Sequence, residues 1–159
     1  MSGKFAKTTD VSVEKSKAEI EATVRRYGAD GFMSGWADDR ATIQFRCQNR
    51  HVRFVMTLPA RGEARFTKWK RGYSMVDRTP KAAEEMWEQA CRQKWRALAL
   101  LVKAKLESVE AKIETFDSVF LSNIVLPDGN TVGDAVIPKV ESAYKTGSMP
   151  LLLGGPSNG

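Results

Sequence analysis

Two stretches near the middle of the chain alternate between apolar and polar side chains with a period of two. In Ala41 to Cys47, Ala41, Ile43, Phe45 and Cys47 point one way, and Thr42, Gln44 and Arg46 the other. In His51 to Leu58, Val52, Phe54, Met56 and Leu58 share one face, and His51, Arg53, Val55 and Thr57 the other. That period marks antiparallel strands with one face in the core and one in water. Asp38-Asp39 and Gln48-Asn49-Arg50 are the turns, and Gly31 to Trp36 supplies a preceding strand. A three-stranded antiparallel sheet is expected, closed by Pro59. Residues 4–11 read as a short edge strand.

The period changes to three and four on either side of the sheet. Ser12 to Tyr27 carries Ile20, Val24 and Tyr27 at helical spacing, with Ser12 as N-cap and Gly28 as stop. Thr79-Pro80 is a strong helix start. After it, Trp87, Cys91, Trp95, Leu98, Val102, Leu106, Val109, Ile113 and Phe116 define one face of one long helix. Such a helix outruns a small sheet, so it bends, packs on the C-terminal region or pairs with a second subunit. Pro127-Asp128-Gly129-Asn130 is a turn. Thr131 to Tyr144 reads as a short last helix limited by Pro138. The segment 60–79 has no stable period and reads as a loop with a short strand at Ala64 to Lys70.

These elements predict an α+β fold: N-terminal helix, three-stranded antiparallel sheet, long helix, short C-terminal helix. Residues 1–150 form one domain and 151–159 a tail, in which Leu151 to Leu153 are expected to dock on the body or on a partner. The length of 159 residues supports a single core without disulfides or metal. Cys47 and Cys91 match no metal spacing and read as buried thiols of a reducing compartment. No apolar run reaches the roughly 20 residues that span a bilayer, and the first residues do not form a secretory signal. A cytoplasmic protein with no membrane contact is expected.

Charge adds a partner. The chain carries 25 Lys+Arg against 19 Asp+Glu, a net +6, and a positive domain attracts polyanions. The cations concentrate in RGEARFTKWKRGYSMVDR, residues 61–78, with Phe66, Trp69 and Tyr73 between them. Cations hold phosphates and aromatic faces stack on unpaired bases. Arg65, Lys68, Trp69, Lys70, Arg71 and Tyr73 are therefore the candidate nucleic-acid-binding residues, with single strands favoured because duplex bases are already stacked. Arg46 and Arg53, pointing the same way from adjacent strands, support them. The competing reading is a solvated loop whose aromatics fold inward.

Enzyme chemistry finds no footing. His51 is the lone histidine, Asp38 and Asp39 are turn residues, and no GxGxxG, GxxxxGK[ST] or GxSxG occurs. No catalytic residue, cofactor or metal is assigned. The long helix and the leucine tail carry the alternative, a protein-interaction module such as an anti-defence inhibitor or an oligomeric assembly subunit, with homo-oligomers joined through the long helix.

The stretches VSVEKSKAEIEATVRRYGADGF and FLSNIVLPDGNTVGDAV resemble small bacteriophage and prophage proteins. The resemblance implies a phage or mobile-element setting in a bacterial host, and DNA replication or recombination as a context. It transfers no site residue. The element order also resembles, loosely, double-stranded RNA-binding domains and phage annealing proteins, although TPKAAEEMWEQ lacks the basic helix start of the former.

Overall fold

A computed structural model describes residues 9–154. The chain is α+β. Helix α1 (Val13–Arg26) is followed by β1 (Gly31–Ala37), β2 (Arg40–Cys47) and β3 (Arg50–Thr57). A single helical turn, α2 (Ala64–Thr67), leads into β4 (Lys68–Arg71) and β5 (Ser74–Asp77). The long helix α3 (Pro80–Glu110), the short α4 (Phe116–Phe120), a 3-10 turn (Leu121–Asn123) and α5 (Val132–Thr146) complete it. Of the edge strand expected at 4–11, residues 4–8 lie outside the described residues, and 9–11 form no strand.

The helix starts are local chemistry. The Ser12 hydroxyl accepts from the Lys15 amide, and Thr79 from that of Ala82, ahead of Pro80. At the end of α1, Gly28 takes a φ of 99°, a conformation other residues reach only at a cost. Helix α5 opens with a full capping box between Thr131 and Asp134. The backbone amide of Thr131 holds the Asp134 carboxyl below its ordinary range.

The sheet runs β1-β2-β3, antiparallel throughout, with Phe32 opposite Phe45 and Phe45 opposite Val52. Its inner face meets α1 and α3. Ile20, Val24, Ile43, Phe45, Val52, Phe54, Trp95, Leu98, Val102 and Leu106 form the core with Phe116 and Phe120. Phe120 is fully buried at its centre, with ring centroids 5.7 Å from Phe45, 6.3 Å from Phe54 and 4.7 Å from Phe116. The apolar stripe of α3 from Cys91 to Leu106 is thus buried within the chain.

Three expectations need correction. The long helix does not continue to Phe116. It ends at Glu110, where Ala111 is the C-cap and Lys112 adopts φ 58°. The Lys112 amide donates to the Val109 carbonyl and the Ile113 amide to that of Ser108, a Schellman ending. Ile113 is thereby left exposed, while Phe116 enters the core from α4. Second, α5 runs through Pro138 to Thr146. The proline lacks the amide that would bond back to Asp134, yet the helix continues to its end at Gly147 (φ 73°). Third, residues 60–79 hold a helical turn and a hairpin where a loop was expected, and Ala64 to Thr67 is helical, not extended.

One core atom is unsatisfied. Ser16 is 0% exposed, and its hydroxyl has no hydrogen-bond partner among the described residues. A buried unpaired hydroxyl costs about 1–3 kcal/mol. Ser16→Ala is expected to raise the unfolding free energy by about 1 kcal/mol in urea denaturation, and a loss of stability would contradict this account.

Candidate nucleic-acid interface

The hairpin β4–β5 is an arm. Lys68 pairs with Asp77, Trp69 with Val76, Lys70 with Met75 and Arg71 with Ser74. Gly72, with φ 60°, and Tyr73 make the two-residue turn that such a connection demands. An isolated two-stranded hairpin is marginal in water, so its root matters. There Phe66, 2% exposed, packs from α2 against the body. The Arg78 amide donates to the Thr67 carbonyl (2.7 Å), closing the base of the arm. The loop before α2 is pinned to α3 as well. The Trp87 indole donates to the Pro59 carbonyl (2.7 Å). The Arg61 guanidinium lies 3.9 Å over the Trp87 ring and pairs with Glu84.

The aromatics of the basic stretch therefore divide. Phe66 turns inward and is structural. Trp69 is 42% exposed, and Tyr73 at the tip is fully exposed. Alternation along β4 divides the cations too. Trp69 and Arg71 lie on one face of the hairpin, with Ser74 and Val76. Lys68 and Lys70 lie on the other, with Met75 and Asp77.

The side chains of Lys70 and Arg71 have no hydrogen-bond or ion-pair partner among the described residues. Lys68 is paired with Asp77 at 2.6 Å. Arg65 pairs with Glu63 at 2.6 Å and lies 4.4 Å from the Phe66 ring centroid. That pairing, with the Ala60 amide second, lowers the Glu63 carboxyl from its ordinary value. Exposed ion pairs of this kind contribute little, so Arg65 and Lys68 can exchange a carboxylate for a phosphate at small cost.

The supporting arginines stand elsewhere. The outer face of the sheet carries Arg40, Thr42, Gln44 and Arg46 from β2, and His51, Arg53, Val55 and Thr57 from β3. Arg46 pairs with Asp30 at 2.7 Å, and this bond holds the Asp30 carboxyl below its usual range. Arg53 donates to the Gly129 carbonyl at 2.9 Å. No hydrogen bond or ion pair among the described residues joins Arg46 or Arg53 to the arm. Arg46 lies at the end of β2 away from the arm, roughly 20 Å along the strand from Arg40.

Arg40 is the cation the pattern reading missed. It lies opposite Thr57 at the end of the sheet from which the chain leaves for the arm, and it is exposed. The signal was available, because Arg40 continues the outward set Thr42, Gln44 and Arg46. Trp36 was also passed over. It is 76% exposed and borders a cleft of about 630 Å³ walled by Trp87, Cys91, Trp95 and the start of α1.

Burial pushes both thiols, Cys47 and Cys91, above their ordinary range. Their placement in the core is the one expected. Among the described residues no helix is long and apolar enough to cross a membrane. Comparison with known protein families, with curated proteins and with solved structures finds no match to this chain.

Proposed function

We propose that this chain is a non-catalytic nucleic-acid-binding protein that prefers single-stranded DNA, with the β4–β5 arm as its contact surface. The observation that carries the reading is the tip of the arm: Tyr73 fully exposed, Trp69 nearly half exposed, and beside them the Lys70 and Arg71 side chains, unpaired among the described residues. Rings held in water cost free energy unless something covers them, and unpaired bases offer matching flat faces. The cations supply phosphate contacts, and the net charge of +6 favours the approach of a polyanion. Arg65 and Lys68 are the next contacts along the arm. Arg40, Arg46 and Arg53 extend a positive surface over the sheet. The resemblance to phage proteins suggests DNA replication or recombination in a bacterial host as the setting.

Titration of the tryptophan fluorescence with an oligothymidylate tests this. Affinity is expected to fall linearly on a log–log salt plot, with a slope of roughly −0.7 per phosphate contacted. A duplex of the same length should bind more weakly. Absence of binding to any oligonucleotide at low salt would reject the proposal.

A second reading has its own support. Helix α5 buries only Gly133, where a Cβ would approach the Ser122 carbonyl oxygen to 2.8 Å. Beyond that first turn it presents Ile137, Val140 and Tyr144 to solvent. The tail folds back through a bond from Lys139 Nζ to the Leu152 carbonyl, yet Leu151, Leu152 and Leu153 stay exposed. This surface favours a protein-interaction module, such as an inhibitor or assembly subunit. Recovery of a stoichiometric protein partner, lost on deleting residues 149–154, would favour it over the first.

A further inference from the structure

The two edges of the three-stranded sheet are treated differently. Along β3, Val52 forms an antiparallel bridge with Ile124, the Val125 amide donates to the His51 carbonyl (2.8 Å), and Asn123 Nδ2 donates to the Arg53 carbonyl (3.1 Å). The His51 to Arg53 half of that edge is closed by the segment after α4. Among the described residues the β1 edge has no such cover: no strand pairs with it on the side away from β2, and Met33 to Ala37 are all exposed. An open edge is a template for another strand, and proteins commonly blunt it with charge, proline or a bulge. The sequence of β1, GFMSGWA, contains no charged residue and no proline. It also holds two large exposed apolar side chains, Met33 at 64% and Trp36 at 76%.

We propose that β1 pairs antiparallel with β1 of a second copy of this chain, across a two-fold axis at Ser34, joining two sheets into one. Geometry selects this register. The two-residue connection from β1 to β2 makes Ala37–Arg40 the closing hydrogen-bonded pair. By alternation, Gly31, Met33 and Gly35 also direct their backbone groups at β2. Phe32, Ser34 and Trp36 direct theirs outward.

An axis at Ser34 places these outward groups in register: Ser34 bonds Ser34 of the second copy, and Phe32 bonds Trp36. It also pairs every residue of β1. On the inner side Phe32 meets Trp36, an aromatic cross-strand pair. On the outer side Met33 lies over Gly35, where no atom comes within 4 Å of an added Cβ. The strand is complementary to itself, large side chain against large on one face and large against small on the other. It is also a neutral stretch of a chain bearing +6, so two like-charged copies meet there without opposing cations. At each end Asp38 comes opposite Asp30, whose charge is already balanced by Arg46. The joined sheet would bring Arg40, Arg46 and Arg53 of both copies onto one outer face.

Sedimentation velocity of the full chain tests the proposal, run at high salt so that nucleic acid cannot bridge copies. A short strand-to-strand joint supports an affinity in roughly the micromolar range. The expected result is a concentration-dependent dimer between about 5 and 300 µM, a range that brackets that affinity. Ser34→Pro, which removes the central donor, should leave a monomer with unchanged circular dichroism. A monomer at the top of the range, or a dimer unaffected by Ser34→Pro, would overturn the proposal.

Ser34→Cys reads the register independently of whether the proline variant folds. Facing residues of a hydrogen-bonded pair lie about 5.5 Å apart at Cα, within disulfide reach. Mild oxidation should give a covalent dimer, because Cys47 and Cys91 are buried. Adding Met33→Lys, which sets two cations diagonally across the joint, should reduce its yield about threefold. No cross-link from Ser34→Cys would equally overturn it.

Discussion

Phe120→Ala is expected to lower the unfolding free energy by about 3–5 kcal/mol, the range for deleting a fully buried phenylalanine. Phe120 is 0% exposed and touches three other rings: Phe45 and Phe54 edge-on from the sheet, and Phe116 from its own helix. Edge-to-face pairs add stability beyond the buried area. The ammonium of Lys105 also lies 5.7 Å from the Phe120 ring centroid, and it donates to the Val119 carbonyl. Truncation therefore leaves a cavity that rigid neighbours cannot collapse into. The thermal midpoint should fall by roughly 6–20 °C for a chain of this size, as read by circular dichroism. A fall of less than about 1 kcal/mol would mean that the core closes elsewhere, because a well-packed site cannot lose that volume cheaply.

Replacing Trp69 and Lys70 together with alanine is expected to weaken single-strand binding by about 2–4 kcal/mol, thirtyfold or more, while leaving the thermal midpoint nearly unchanged. One stacked base contributes about 1–3 kcal/mol, and one phosphate contact adds a salt-dependent share. Retained stability is expected because the Lys70 side chain has no partner among the described residues and Trp69 lies outside the core. The log–log salt slope should become shallower by roughly one contact, about 0.7. Phe66→Ala separates root from tip. Its ring is buried, so that variant should lose stability as well as affinity. Unchanged binding in the Trp69/Lys70 variant would remove the arm from the interface.

Much of the fold was legible because its elements are amphipathic in simple ways. The set Ala41, Ile43, Phe45 and Cys47 is buried as alternation predicts. Ser12 and Thr79 cap the helices they were expected to cap. The end of α3 was illegible because apolar spacing continues through Ile113 and Phe116, while the break is made by Lys112 in a conformation usually given to glycine. The arm was hidden for a different reason. Its Lys68/Lys70 face is exposed and its Trp69/Val76 face only half covered, so no apolar period marks it. The signal that remained was Gly72, between two short runs of alternating character. Whether each aromatic of the basic stretch faced in or out was beyond the sequence, since it depends on which side of α2 meets α3.

The anchoring of the arm at Phe66 has a consequence for how this protein can change over generations. Sites well separated and without shared partners contribute almost additively to stability. Substitutions at Lys70, Arg71, Tyr73 or Met75 therefore leave the folding equilibrium close to where it was, while altering what the tip can touch. Selection can explore new ligands at those positions without a compensating repair in the core. Phe66 and Trp87, whose side chains fix the root of the arm, have no such freedom.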